Sequence, residues 1–368
     1  MKKVIAMLLV GAMAAALTVG CGESTNTGET ADTQETPPEG AEEAAASETT
    51  GETEAAQASD VTAEGGKTYR IANLVKQLGT AWYQRQQVGL DAMNEEGGVD
   101  CFMVGPETAD AALQVQIMED LIAQGVDAIT VVPVSVEALE PVCKKAREAG
   151  IIVVSHEAAG MQNVDYDVEA FDNAEYGAFM MDLLAQSMDG KGEYATTVGF
   201  LTSKSHNEWM EAAVARQKEA YPDMKLVADK IEENDDSQTG YDKFQELMKT
   251  YPDLGGILVS SMSGTQGVGL AIEEMGLSGK VRAVGTCIVS VSGPYLESDS
   301  LTATTFWDPA GAGYALNKTA LMALQGKTIE TGTDLEYTGY HAITLNGNVI
   351  YGNDTLSATK ENMADYPF

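Results

Sequence analysis

The 368-residue sequence predicts an α/β protein built as two doubly wound parallel-sheet lobes. Three observations carry this. From residue 69 onward, short apolar runs alternate with longer amphipathic ones, the amphipathic runs close on glycines, and the alternation comes in two blocks of similar length that part near Asp172. A βαβα series implies a parallel sheet with helices on both faces, so two such series imply two sheets.

In the first block the β-like runs are 69–75, 101–104, 128–133 and 151–155. Between them, 81–94, 109–124 (closed by Gly125) and 136–149 (closed by Gly150) carry apolar residues at helical spacing. The second block reads helix 174–188, strand 197–201, helix 207–220, strand 226–230, helix 240–250, strand 256–260, helix 265–275 and strand 281–285. About 300 residues follow position 66, enough for two domains of ordinary size.

Ahead of this region the chain reads as an export leader and a tether. Met1-Lys2-Lys3 supplies a positive start and 4–19 an uncharged apolar run, too short to span a bilayer comfortably. Small residues Gly20 and Cys21 stand where cleavage falls, and Thr18-Val19-Gly20-Cys21 resembles a bacterial lipoprotein signal, with Thr18 where leucine is usual. The expectation is a leader over 1–20 and a lipidated Cys21 that anchors the chain. Residues 22–66 hold twelve acidic and no basic side chains among Thr, Ser, Ala, Gly and Pro, so 21–66 reads as an anchor followed by a disordered, self-repelling tether.

With those twelve acids and the two leader lysines set aside, the net charge of −34 becomes −24 for the rest. So acidic a surface excludes nucleic acid and anionic membrane as partners. The remaining cysteines, Cys101, Cys143 and Cys287, are odd in number and widely spaced, which points to buried apolar positions rather than a disulfide framework or metal knuckle.

In open parallel sheets ligands lie beyond the carboxyl ends of the strands. The loops there are rich in binding chemistry: Lys76 with Trp82-Tyr83, His156-Glu157, Ser205-His206-Asn207 with Trp209, and Ser260-Ser261-Met262. Aromatic faces beside fixed donors and acceptors suit a sugar-like solute, whose C–H faces alternate with hydroxyls. Each residue also has a plainer reading. Trp82, Tyr83 and Trp209 could pack as core, the histidines could be structural, Lys76 could be solvated, and the serine pair could cap a helix.

Catalysis finds little support. No Gly-x-Ser-x-Gly elbow occurs, and His156, His206 and His341 lie far apart. His156 and Glu157 are adjacent, so on a strand their side chains would diverge. The glycines of Gly264-Thr265-Gln266-Gly267-Val268-Gly269 do not match a dinucleotide fingerprint. No cofactor and no metal are expected, and a DNA-binding regulator would need a basic N-terminal helix-turn-helix.

The element order, together with Leu74-Val75-Lys76, Gln124-Gly125-Val126-Asp127-Ala128-Ile129, Asn207-Glu208-Trp209, Tyr251-Pro252-Asp253-Leu254-Gly255-Gly256-Ile257, Phe306-Trp307-Asp308, Tyr340-His341, Asn346-Gly347-Asn348 and Asp365-Tyr366-Pro367-Phe368, resembles the periplasmic sugar-binding proteins of the ribose-binding type, closest to the rhamnose- and autoinducer-2-binding branch. The resemblance implies a type I solute-binding fold of an ABC importer, with a three-segment hinge near 171–173, 305–307 and 337–340. One lobe would hold 67–171 plus 307–337 and the other 172–306 plus 338–368. It adds Trp307 and Asp308 to the ligand-binding residues. Where the autoinducer-2 receptors present acidic residues, this chain has His156 and Ser205, so a different sugar or polyol is the expected solute. The partners implied are that solute and the ABC permease, with the protein monomeric, exported and held on the outer face of the cytoplasmic membrane by its lipid anchor alone. A sensor that presents its closed form to a signalling receptor would use the same clamp.

Overall fold

A computed structural model describes residues 66–368; the leader, Cys21 and all but the last residue of the tether lie outside the described residues. In chain order the elements are β1 (Tyr69–Leu74), α1 (Ala81–Glu96), β2 (Val99–Val104), α2 (Ala111–Gln124), β3 (Ala128–Val131), α3 (Val136–Glu148), β4 (Ile152–His156), β5 (Tyr166–Glu169), α4 (Asn173–Ser187), β6 (Gly192–Val198), α5 (Lys204–Ala220), β7 (Met224–Glu232), α6 (Ser237–Thr250), β8 (Leu254–Val259), α7 (Met262–Glu274), β9 (Arg282–Thr286), α8 (Val289–Glu297), β10 (Ala303–Phe306), α9 (Pro309–Leu324), β11 (Thr344–Asn346), β12 (Val349–Tyr351) and β13 (Leu356–Ala358).

Two sheets organise these elements, in the orders β11-β12-β5-β4-β3-β1-β2 and β13-β10-β9-β8-β6-β7. All pairings are parallel except β11 with β12 and β10 with β13. The central strands β3 and β4 are mostly Val, Ile and Ala and are buried almost throughout, as a strand covered by helices on both faces must be. The two doubly wound parallel-sheet lobes expected from the alternation are present.

The loop that follows a strand repeatedly supplies the cap of the next helix. Thr80, Asp110, Ser135, Asp172, Asp236, Ser261 and Asp308 each accept from backbone N–H groups of the first turn. Those N–H groups have no partner inside the helix, so the caps fix where each helix starts and where its first-turn side chains point.

The chain passes between lobes three times, and the third passage differs from expectation. Because β12 pairs with β5 (Val349 beside Asp167), 344–351 belong to the first sheet, and the last crossing falls between β12 and β13 rather than near 337–340. Backbone hydrogen bonds lace this crossing to the first one: Gly352 N donates to Glu169 O and Asp354 N to Ala170 O, at 2.9 and 3.0 Å. The Asp354 carboxylate accepts from Asp308 N of the second crossing at 2.9 Å. The strand expected at 197–201 is β6, which starts five residues earlier and ends at Val198, and Leu201 lies in an exposed turn. Helices α8 and α9 and strands β5, β10, β11, β12 and β13 add to the elements read from periodicity.

Cys101, Cys143 and Cys287 are free and buried. No helix among the described residues is long and apolar enough to cross a membrane.

Candidate functional site

The carboxyl ends of the strands of both sheets converge on a cavity of about 60 Å³ between the lobes, room for several waters or one small solute. From the first lobe come Lys76, Gln77 and Thr80 after β1, Trp82 and Tyr83 in the first turn of α1, and Glu157 after β4. The second lobe contributes His206 and Trp209 from α5, Asp235 after β7, Ser260 to Ser263 around the start of α7, and Thr286 at the end of β9. Trp307 reaches in from the second crossing.

Glu157 is the electrostatic centre. Its Oε2 accepts from Lys76 Nζ at 2.6 Å, and both side chains are under a tenth exposed. Burial alone would push the lysine down and the glutamate up. The mutual attraction, with Asp235 adding to it at Lys76 and the two histidines adding to it at Glu157, wins in both cases and keeps the pair ionised. The backbone of Glu157 is left-handed, φ 57°, which a non-glycine residue adopts only where its surroundings hold it. That twist breaks the strand alternation. The side chains of His156 and Glu157 therefore do not diverge as a regular strand requires: His156 Nε2 lies 3.9 Å from Glu157 Oε1.

His206 approaches the same carboxylate from the opposite lobe, Nε2 to Oε2 3.9 Å. Its Nδ1 accepts from Gly199 N–H at 3.2 Å, so the proton sits on Nε2 and faces the cavity. Burial first, then Lys76, depress its titration to about 4, so the ring is neutral at physiological pH. His156 Nδ1 donates to Val168 O, and its Nε2 is buried without a partner.

An aromatic wall backs the charges. Trp82 and Trp307 meet edge-on at 4.6 Å, Trp307 and Trp209 at 5.8 Å, and Tyr176 stacks on Phe171 at 4.0 Å. Trp209 Nε1 donates to Asn173 Oδ1 at 2.7 Å, which fixes its ring. Trp307 Nε1 and Ser260 Oγ, on two residues that line the cavity, are buried with no hydrogen-bond partner in the protein. Behind Ser261 lies Glu233, fully buried, accepting from the Ser261 hydroxyl. Burial, then Asp235, raise its carboxyl to about 8, so it is protonated at neutral pH. Among the described residues no group of three or more His, Cys, Asp or Glu side chains is placed to hold a metal ion.

A family model described as a periplasmic binding protein domain matches residues 71–328, most of the chain. The chain belongs to the periplasmic binding protein family. A D-ribose/D-allose-binding protein of Pseudomonas aeruginosa is 26% identical over 285 residues, covering 75% of this chain and 88% of that protein. Among solved structures, an ABC transporter solute-binding protein from Clostridium phytofermentans with bound L-rhamnose superposes with TM-score 0.75 at 21% identity, over 82% of this chain and 98% of that one. A binding protein from Clostridium saccharobutylicum in complex with AI-2 gives TM-score 0.75 at 18% identity, over 81% and 100%. The fold is that of a type I periplasmic binding protein.

Within this family member the expected site residues divide. Lys76, Trp82, Tyr83, Glu157, His206, Trp209, Ser260, Ser261, Met262 and Trp307 line the cavity together. Ser205 and His156 are buried beside it without lining it. Two expected contacts are corrected. The Asn207 amide donates to Phe200 O and Ser203 O and so secures its own turn. The Asp308 carboxylate caps α9 and accepts from Arg85 Nε and Nη2 at 2.8 and 2.7 Å, and it does not line the cavity. Asp235 and Thr286 line the cavity and were not among the expected residues; Asp235 adds a second carboxylate to the expected Glu157.

Proposed function

We propose that this chain is the extracytoplasmic solute-binding lipoprotein of an ABC importer, capturing one sugar or polyol between its lobes by hinge closure. One observation carries the reading: a small, partly open cavity whose walls come from both lobes and combine three tryptophans with fixed donors and acceptors. Indole faces pack on C–H surfaces, while Lys76, His206 Nε2, Trp307 Nε1, Ser260 and Asp235 supply the polar partners that a belt of hydroxyls requires. The sugars named for the relatives and neighbours above support the same class.

Closure follows from the architecture. Only the crossings join the lobes covalently, while the solute bridges them, so ligand stabilises the closed form by its differential affinity. In the closed form Thr202 Oγ1 of the second lobe donates to Val134 O of the first at 3.2 Å. The closed surface is what the permease would recognise.

A thermal-melt screen of pentoses, hexoses, deoxysugars and polyols tests the function: a bound member raises the melting temperature with concentration, whereas no shift with any member refutes it. The lipid anchor is tested separately. Cys21→Ser should release the protein from membranes with solute binding unchanged, and continued membrane retention contradicts the anchor.

A further inference from the structure

We propose that Asp235 is a charge filter, admitting neutral or amine-bearing polyols to the cavity and turning away carboxylated and phosphorylated ones; this rests on the reading of the cavity as a solute site. A lysine in a binding cavity would ordinarily mark an anion receptor, and here the geometry removes that role. The Lys76 ammonium is 2.6 Å from Glu157 Oε2, and both are buried, so the pair presents no net charge. His206 lines the cavity as a neutral ring, because its Nδ1 accepts the Gly199 N–H.

Asp235 is then the charged lining residue left unbalanced. Among the described residues no cationic group lies within 4.0 Å of its carboxylate. Its Oδ1 is buried and receives no hydrogen bond. Gly199 makes this position possible: a Cβ there would stand 2.1 Å from Asp235 Oδ1 and 3.0 Å from His206 Nδ1. The Asp235 backbone is left-handed as well, φ 49°, a conformation that a non-glycine residue adopts only where its surroundings hold it. The fully buried Glu233 behind it adds no positive charge.

A half-buried carboxylate on the wall of a cavity between the lobes gains from a solute that brings an O–H or N–H donor. A solute anion would meet an excess negative charge that a partly open site screens only in part. For like charges a few ångströms apart in a partly buried site, discrimination on the order of 100-fold follows.

Calorimetric titration decides this with D-ribose, D-glucose, D-galactose and L-rhamnose, set beside ribose 5-phosphate, glucose 6-phosphate, glucuronate, galacturonate, glucosamine and galactosamine. The expected order is amine-bearing equal to or tighter than neutral, with every anion weaker than its parent by about 100-fold. Asp235→Asn should narrow that gap to about 10-fold or less. An anion that binds the wild type as tightly as the best neutral sugar overturns the filter, and so does a gap unchanged in a folded Asp235→Asn protein. Should that variant not fold, the wild-type ranking alone decides. If no member of the set binds, the solute-binding reading itself fails and the filter falls with it, a result distinct from binding in the wrong order.

Discussion

Glu157 couples the two lobes through side chains the sequence placed at separate strand ends. It meets Lys76 and His156 from its own lobe and His206 from the other, all buried. Replacing it with glutamine keeps the shape but leaves the Lys76 ammonium uncompensated in the interior, which should cost about 3–5 kcal/mol of folding stability by urea denaturation. The same change at a solvated carboxylate such as Glu148 should stay within about 0.5 kcal/mol. Glu233 gives the protein a pH signature. Its carboxyl is raised from 4.5 to about 8 by burial, so the folded state keeps a proton that the unfolded state releases, and stability falls as pH rises through that window. Asp354 at the hinge, raised to about 7 chiefly by burial, acts in the same direction. His206, depressed to about 4, withdraws stability only as pH falls below 6.5. Between pH 6.5 and 8 the buried carboxyls therefore act alone. Over that range the melting temperature of the wild type should drop, and Glu233→Gln should flatten the drop; a wild-type melting temperature that climbs over the same range contradicts the assignment. Most cavity residues were legible because strand ends concentrate function in such sheets. Asp235 was not, since Glu232-Glu233-Asn234-Asp235-Asp236 has the composition of a solvated turn, and only two left-handed residues, Asn234 and Asp235, fold it inward.

At the scale of elements, glycines set how closely helices approach the site. Gly177 of α4 lies under α5, where a Cβ would stand 2.2 Å from Trp209 O and 2.8 Å from Ala212 Cβ. Gly177→Ala must push α5 away, which should cost roughly 1–3 kcal/mol and shift Trp209 in the cavity wall. Its indole emission should move, and the Asn173 hydrogen bond that anchors the ring should weaken. A variant with unchanged stability and emission would show that the contact relaxes freely. The long amphipathic helices and buried strands were readable from period alone. The elements that escaped were buried all round, irregular or short: α9 is buried along most of its length and so shows no polar stripe, α8 carries an internal Pro294, and β5, β10 and β11 to β13 run only three or four residues. Runs of that length hold too few residues to show a period, so the last hinge crossing was placed about a dozen positions early.

The whole molecule is a clamp whose three crossings are tied to one another. Backbone bonds join the first and third crossings, Asp354 joins the third to the second, and Arg85 grips the helix start that follows. A hinge so braced favours rotation of two rigid lobes over local unfolding, which is what capture of a small solute between them requires. The two-lobed class was visible in the sequence because each βα unit carries its own pattern. The approach of His206 to Glu157 was not, because it depends on how two separately folded sheets face each other; the Lys76–Glu157 pair within one lobe was missed because it needs the left-handed turn at Glu157. The most direct test of the central claim is isothermal titration calorimetry of the protein with single sugars and polyols. One-to-one binding of at least one member, lost or weakened more than about tenfold by Trp307→Ala, is the predicted result. Absence of heat with every sugar and polyol, or binding that the Trp307 change leaves untouched, would contradict a solute site between the lobes.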